Sequence, residues 1–255
     1  MPPASPRPTL FRSRTVRLAC ATAAALALLT VAGCAPARLQ NAKALVQASE
    51  PFQHGPASPV GSLLVVGDST AVGTGASRGE NSVAGLIARD HPRLRIVNRA
   101  EDGARFEDIA RQLDGSERYD MVLIMGGAND VLRFTRQTPW HDSMALAVRR
   151  AAARAGTVIV MPSGNVGNAP FFYPPASWLM TQRARTLHAM ASEIARGQGA
   201  VYVNLYRERE DDPFAQEPER MNASDHLHPS DDGYAHWYGE LRRQAGLDAR
   251  IDALR

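Results

Sequence analysis

Leu63-Leu64-Val65-Val66-Gly67-Asp68-Ser69-Thr70 decides how this chain is read. An apolar, partly β-branched run stops abruptly at Gly-Asp-Ser. That pattern describes a buried strand delivering a serine to its carboxyl end. In open α/β sheets, ligands bind at the carboxyl ends of the strands. Taken alone, Gly-Asp-Ser is also a common turn sequence, in which Asp68 and Ser69 simply cap the next segment. The far end of the chain shifts the balance, because Asp225-His226-Leu227-His228-Pro229-Ser230 supplies an acid and a base. Between the two lie Gly103 and Gly127-Ala128-Asn129-Asp130.

From Gly61 onward, strand and helix patterns alternate. Strands are expected over Ser62–Val66, Leu94–Asn98, Met121–Met125, Thr157–Met161 and Val201–Leu205. Helices are expected over Ser82–Asp90, Phe106–Leu113, Ser143–Ala155, Ser177–Gln198 and Tyr234–Gln244, with helical apolar spacing such as Leu179, Leu187, Met190 and Ile194. Alternation of this kind implies parallel strands joined by right-handed crossover helices. The expected fold class is α/β, a three-layer α/β/α sandwich around a five-stranded parallel sheet.

A serine hydroxyl is a weak nucleophile until a base takes its proton. Among seven histidines, His228 alone sits in an Asp-x-x-His-Pro pattern. Asp225 lies three residues earlier, a spacing that shares a face on a tight turn. It could bind Nδ1–H of His228, fix the tautomer and stabilise the imidazolium. His226, beside Asp225, would point elsewhere. The same loop also reads as a helix start, with Ser230 as N-cap and Asp231 and Asp232 in the first turn, and the two readings are compatible. Asn129 follows an apolar strand; it is either a donor at the carboxyl edge or an Asx-turn residue that closes the strand. Asp130 reads as structural. Gly-rich Val72-Gly73-Thr74-Gly75 lacks the Gly-Lys-Ser/Thr ending of a phosphate-binding loop, and no metal-binding pattern is present.

The four blocks, in this order, resemble the SGNH (GDSL-type) family of serine esterases and lipases, whose four name residues match Ser69, Gly103, Asn129 and His228. The resemblance covers about Gly61 to Gly246. It implies a flavodoxin-like strand order and a catalytic triad of Ser69, His228 and Asp225. It also implies an oxyanion hole built from the backbone N–H groups of Ser69 and Gly103 and the Asn129 side chain. Thr70 stands where the usual block has leucine. The sequence departs from the Gly-x-Ser-x-Gly elbow of α/β-hydrolases, since Gly67-Asp68-Ser69-Thr70-Ala71 lacks the second glycine. No cofactor is implied.

The 255 residues suffice for one α/β domain with extensions. The formal net charge of +3 is misleading. Residues 1–33 carry Arg7, Arg12, Arg14 and Arg17 and no acid, so without them the chain is close to neutral. Nothing here points to nucleic acid. Both cysteines, Cys20 and Cys34, lie near the N-terminus, which excludes a disulfide framework or thiol nucleophile in the domain. Residues 1–33 read as a secretory signal, and Val31-Ala32-Gly33-Cys34 resembles a bacterial lipoprotein lipobox. Lipidated Cys34 would anchor the protein to a membrane without spanning it, on the periplasmic side of an outer membrane; the alternative is a plain secreted protein. Residues 34–60 read as a tether with a short helix over Leu39–Ala48, and 61–255 as the hydrolase domain.

The expected function is hydrolysis of carboxylic esters, lipid acyl or O-acetyl, through an acyl-enzyme in the cell envelope. The competing readings are a non-catalytic envelope module binding carbohydrate or lipid on the same fold, and a flavodoxin-like nucleotide binder. The segment from Asn165 to Trp178, with Phe171, Phe172, Tyr173, Pro174, Pro175 and Trp178, either lines the substrate pocket or staples a loop onto the following helix, and Trp140 poses the same choice.

Overall fold

The structure is a computed structural model that describes residues 38–254; Cys34 and the expected signal segment lie outside the described residues. Two compact units divide at residues 41 and 42. The expected helix near residue 40 is present over 38–48.

Within the larger unit, five strands form one parallel sheet: β1 Gly61–Gly67, β2 Leu94–Asn98, β3 Tyr119–Gly126, β4 Ala155–Pro162 and β5 Val201–Tyr202. Their order is β2-β1-β3-β4-β5, and every pairing is parallel. This is the flavodoxin-like order. The helices used below are α1 Ser69–Val72, α2 Val83–Asp90, α3 Phe106–Gln112, α4 Ala128–Leu132, α5 Gln137–Ala152, α6 Ala176–Gly197 and α7 Asp231–Ala245.

The apolar run in β1 explains the layering. Leu63 and Val65 face a core shared with α2 and α7, while Leu64 and Val66 face a second core shared with α3, α5 and α6. A strand buried on both faces must be apolar throughout, which is why no alternation is visible in the sequence.

Three differences from expectation bear on the surroundings of the sheet. Helix α5 starts at Gln137 instead of Ser143. Pro139 falls in its first turn, where a missing N–H costs nothing, and Trp140 and Met144 bury one helical face together. Strand β5 stops at Tyr202 instead of Leu205. Side chains take over there: Gln244 Oε1 accepts from Asn204 N at 2.8 Å, and Asn204 Oδ1 accepts from Tyr206 N at 2.9 Å. The third difference concerns the tether expected over 34–60, whose second half is docked on β2. His54 and Ile96 exchange backbone hydrogen bonds of 3.1 and 2.8 Å, and Val60 N donates to Arg93 O. The Gln53 amide donates to Asn98 O and accepts from Asn98 N. The larger unit accordingly begins at Ala42.

Candidate active site

The β1 run ends where its backbone presses against β3. A Cβ on Gly67 would lie 1.8 Å from Met125 O, so only glycine fits. Buried Gln112 of α3 holds Gly67 from the side, its Oε1 accepting from Gly67 N at 2.7 Å and its Nε2 donating to Gly67 O at 2.9 Å. Asp68 then caps α1, its Oδ1 accepting from Thr70 N at 3.0 Å and from Thr70 Oγ1 at 2.7 Å. Asp68 is fully buried and its Oδ2 has no partner; burial pushes its carboxyl up to about 6 against the opposing pull of the Thr70 hydrogen bonds. Ser69 is thereby fixed as the first residue of α1, at the carboxyl edge of the sheet.

The acid and base arrive on one loop. Oδ1 of Asp225 accepts from the backbone N–H of Leu227 and of His228, both at 3.0 Å. Oδ2 accepts from Nδ1 of His228 at 2.5 Å. A carboxylate at Nδ1 places the imidazole proton there, leaving Nε2 to accept from Ser69 Oγ at 3.0 Å. Burial raises the Asp225 carboxyl, but the His228 hydrogen bond and charge and the two N–H donors outweigh it and leave it below the ordinary value. The loop is closed by an antiparallel bridge between Asn222 and Pro229 and by Ser230, whose Oγ accepts from Gly233 N as the N-cap of α7. The base and helix-cap readings therefore hold together. His226 takes a left-handed conformation (φ 61°), and its carbonyl accepts from Phe171 N, away from the triad.

The glycine-rich turn after α1 supports this loop and is no phosphate cradle. A Cβ on Gly75 would lie 2.5 Å from Pro229 O and 2.9 Å from His228 Cβ. Thr74 Oγ1 donates to Asp102 Oδ1 at 2.7 Å, and Tyr234 Oη donates to Thr74 O at 2.7 Å. The turn thus ties the Gly103 segment to the base of α7.

Gly103 and Asn129 line the same cleft as Ser69 and His228. The backbone N–H groups of Ser69 and Gly103 and the amide of Asn129 make no hydrogen bond among the described residues. The Asx-turn reading of Asn129 is not realised. Asp130 is structural: its Oδ2 accepts from Phe106 N, the first N–H of α3, at 2.9 Å, and burial raises its carboxyl.

The cleft encloses about 190 Å³ and reaches from Leu132 past the Ser69–His228 pair to Arg207 and Trp237. Most of its wall is apolar, including Val46, Val166, Ala169, Leu205 and Phe214. None of Phe171, Phe172, Tyr173 or Trp178 lines it. Phe172 packs on the core and Trp140 is buried in it, so both are packing residues. Of the expected wall segment, Asn165, Val166 and Ala169 do line the cleft, while Ser163 and Arg207 were missed. Ser163 follows β4 directly, and a polar residue at a strand's carboxyl end was the available signal. Ser163 is fixed by its neighbours: its N–H donates to Gly126 O, and His188 Nε2 donates to its carbonyl at 2.9 Å. Burial lowers His188 to about 4 and keeps it neutral, so Nδ1 accepts from Tyr202 Oη at 2.7 Å.

Fold and site together define an α/β/α sandwich with a Ser-His-Asp triad at the carboxyl edge of its sheet. A model of the GDSL-like lipase/acylhydrolase family matches residues 65–236, and the chain belongs to that family. A GDSL-like esterase of Mycobacterium tuberculosis is 30% identical over 182 residues, covering 68% of this chain and 58% of that protein. The chain thus spans less than two thirds of that relative. Among solved structures, TesA superposes with a TM-score of 0.56 at 20% identity, covering 76% of this chain and 99% of that one. The acetylxylan esterase Axe2 of Geobacillus stearothermophilus gives 0.52 at 21%, covering 74% and 95%. A psychrotrophic esterase, EstA of Pseudoalteromonas, gives 0.52 at 18%, covering 72% and 96%.

Proposed function

We propose that the protein is a serine esterase that cleaves carboxylic esters through an acyl-enzyme. The observation carrying this reading is the continuous relay from Ser69 Oγ to His228 Nε2 (3.0 Å) and from His228 Nδ1 to Asp225 Oδ2 (2.5 Å). Ser69 Oγ attacks the ester carbonyl while its proton passes to Nε2 of His228. The negative charge developing on the carbonyl oxygen is met by the N–H groups of Ser69 and Gly103 and the Asn129 amide, three donors with no competing partner. His228 then protonates the departing alcohol. Water, deprotonated by His228, releases the acid and restores Ser69.

The apolar cleft wall favours an acyl group of lipid character over an O-acetyl group as the part held beside Ser69. The protein acts in the bacterial cell envelope, anchored through lipidated Cys34. The support for this is the apolar run ending in Val31-Ala32-Gly33-Cys34. Palmitate incorporation lost on Cys34→Ser is the expected result; label that persists would put the lipid on another residue and end the Cys34 reading, and a wild type without label would leave a secreted protein.

A non-catalytic lipid-binding module on this fold would not need the intact relay. Covalent labelling by a fluorophosphonate probe separates the two readings. Wild type should be labelled and Ser69→Ala should not. An unlabelled wild type that melts cooperatively would end the esterase reading.

A further inference from the structure

Among the described residues, the large hydrophobic side chains left exposed, apart from Leu39, are Phe134, Tyr173, Trp178 and Leu179. All four follow β3 or β4, on the sheet edge that bears Ser69. Phe134, 52% exposed, is a non-glycine residue held at φ 55°, a conformation that costs energy and persists only where the surroundings enforce it. The Arg183 guanidinium lies 5.3 Å from the Phe134 ring. Leu179 sits one helical turn before Arg183 on α6, so the two share a face. Trp178 is next in the chain and 67% exposed. Phe134 and Leu179 therefore flank Arg183, and Trp178 stands exposed on the next side of the same helix.

Three arginines, Arg133, Arg136 and Arg183, bring positive charge to this set. Arg183 spends its N–H groups on the carbonyls of Asp130, Val131 and Thr135 and enters no ion pair among the described residues. Arg133 and Arg136, exposed on either side of Phe134, also have no carboxylate partner there. Asp130, whose carbonyl Arg183 binds, is buried and its carboxylate is bonded to Phe106 N. Exposed aromatic and aliphatic side chains set among unpaired arginines complement an anionic lipid interface, which offers acyl chains to the first and headgroup phosphates to the second.

We infer that Phe134, Trp178 and Leu179, with Arg133 and Arg136, form a docking surface for anionic lipid membranes. The surface adjoins the cleft rim at Leu132, so docking would face the cleft toward the bilayer. It is independent of any lipid on Cys34 and of the hydrolytic reading.

Of the three tryptophans, Trp140 and Trp237 are buried and only Trp178 is exposed. The part of an emission change that is lost in Trp178→Phe therefore reports this surface. Tryptophan emission of the full chain is to be followed on adding vesicles of phosphatidylcholine with phosphatidylglycerol, or of phosphatidylcholine only. Emission should shift to shorter wavelength, more strongly with phosphatidylglycerol, and Trp178→Phe should remove the shift. Phe134→Ser and Leu179→Ser should each weaken vesicle partitioning on the order of tenfold while melting like wild type. Arg133→Gln and Arg136→Gln should each weaken it about fivefold, and only with phosphatidylglycerol. Vesicle-bound protein whose Trp178 emission does not move would overturn the inference, because the chain would then be held by its N-terminal segment alone.

Discussion

Asp68 and Asp225 are both fully buried, both lie next to a triad residue, and they titrate in opposite directions. Asp68 belongs to the β1 turn, which is held by backbone pairing with β3 and by Gln112. Its carboxylate serves only Thr70, and one of its oxygens is unpartnered. Asp225 belongs to a loop without sheet pairing, and its carboxylate is the centre that organises that loop, with two backbone donors and an imidazole. The serine is therefore placed by the sheet and tolerates an unfavourably buried acid beside it. The histidine is placed by the acid itself. A charge that serves as scaffold is stabilised, and one that sits inside a scaffold is not.

The strongest test of this comparison removes the base. His228→Ala should lower kcat on the order of 10⁶, as for loss of a triad base elsewhere, while His226→Ala retains most of the activity. Steady-state hydrolysis of a short p-nitrophenyl ester measures both, and the reverse ranking would show the loop assigned in the wrong register. Asp225→Asn should cost on the order of 10⁴ in kcat, because an amide no longer fixes the tautomer. It should also loosen the loop, visible as faster amide exchange at Leu227 and His228.

Asn129→Ala should lower kcat by on the order of 10²–10³ with little change in KM, since its donor acts on charge present only in the transition state. A normally melting Asn129→Ala enzyme with wild-type kcat would remove Asn129 from the oxyanion hole. The smallest effect concerns stability against pH. Because the Asp68 pKa is raised from 3.8 to about 6 on folding, its contribution is fully present below pH 4 and lost as pH rises through about 6. Asp68→Asn should therefore abolish a loss of roughly 3 kcal/mol across that window. Asp225, whose pKa is lowered, works in the other sense, with stability present above 3.8 and lost as pH falls further. Urea denaturation at several pH values, with Asp68→Asn beside wild type, decides the sign.

The parts of this molecule legible in sequence are those whose physics is local. Ser69 ends a doubly buried strand, and Asp225 and His228 meet across three residues of one turn. Strands β1, β3 and β4 were readable for the same reason, since burial on both faces leaves an unbroken apolar run, whereas β2 at the sheet edge is buried at alternate residues. What stayed hidden depends on partners distant in the chain. Gln112 completes the Gly67 turn from 45 residues away, and Asp130 caps a helix that begins 24 residues earlier. Arg207 joins the cleft wall only because β5 gives way to side-chain bonds after Tyr202. Phe172 and Trp140 show the limit of composition: an aromatic cluster after a strand looks the same whether it faces a cleft or a core.

The contact between His54 and Ile96 has a practical consequence for how the molecule can be shortened. Sequence patterning alone puts the start of the domain at Gly61. A chain cut there would lose the segment lying along β2 and bare a row of peptide groups able to pair with another molecule's strand. Such a fragment would keep Ser69, Asp225 and His228 yet self-associate. A chain that begins ahead of Phe52 would keep its outermost strand shielded and remain dispersed.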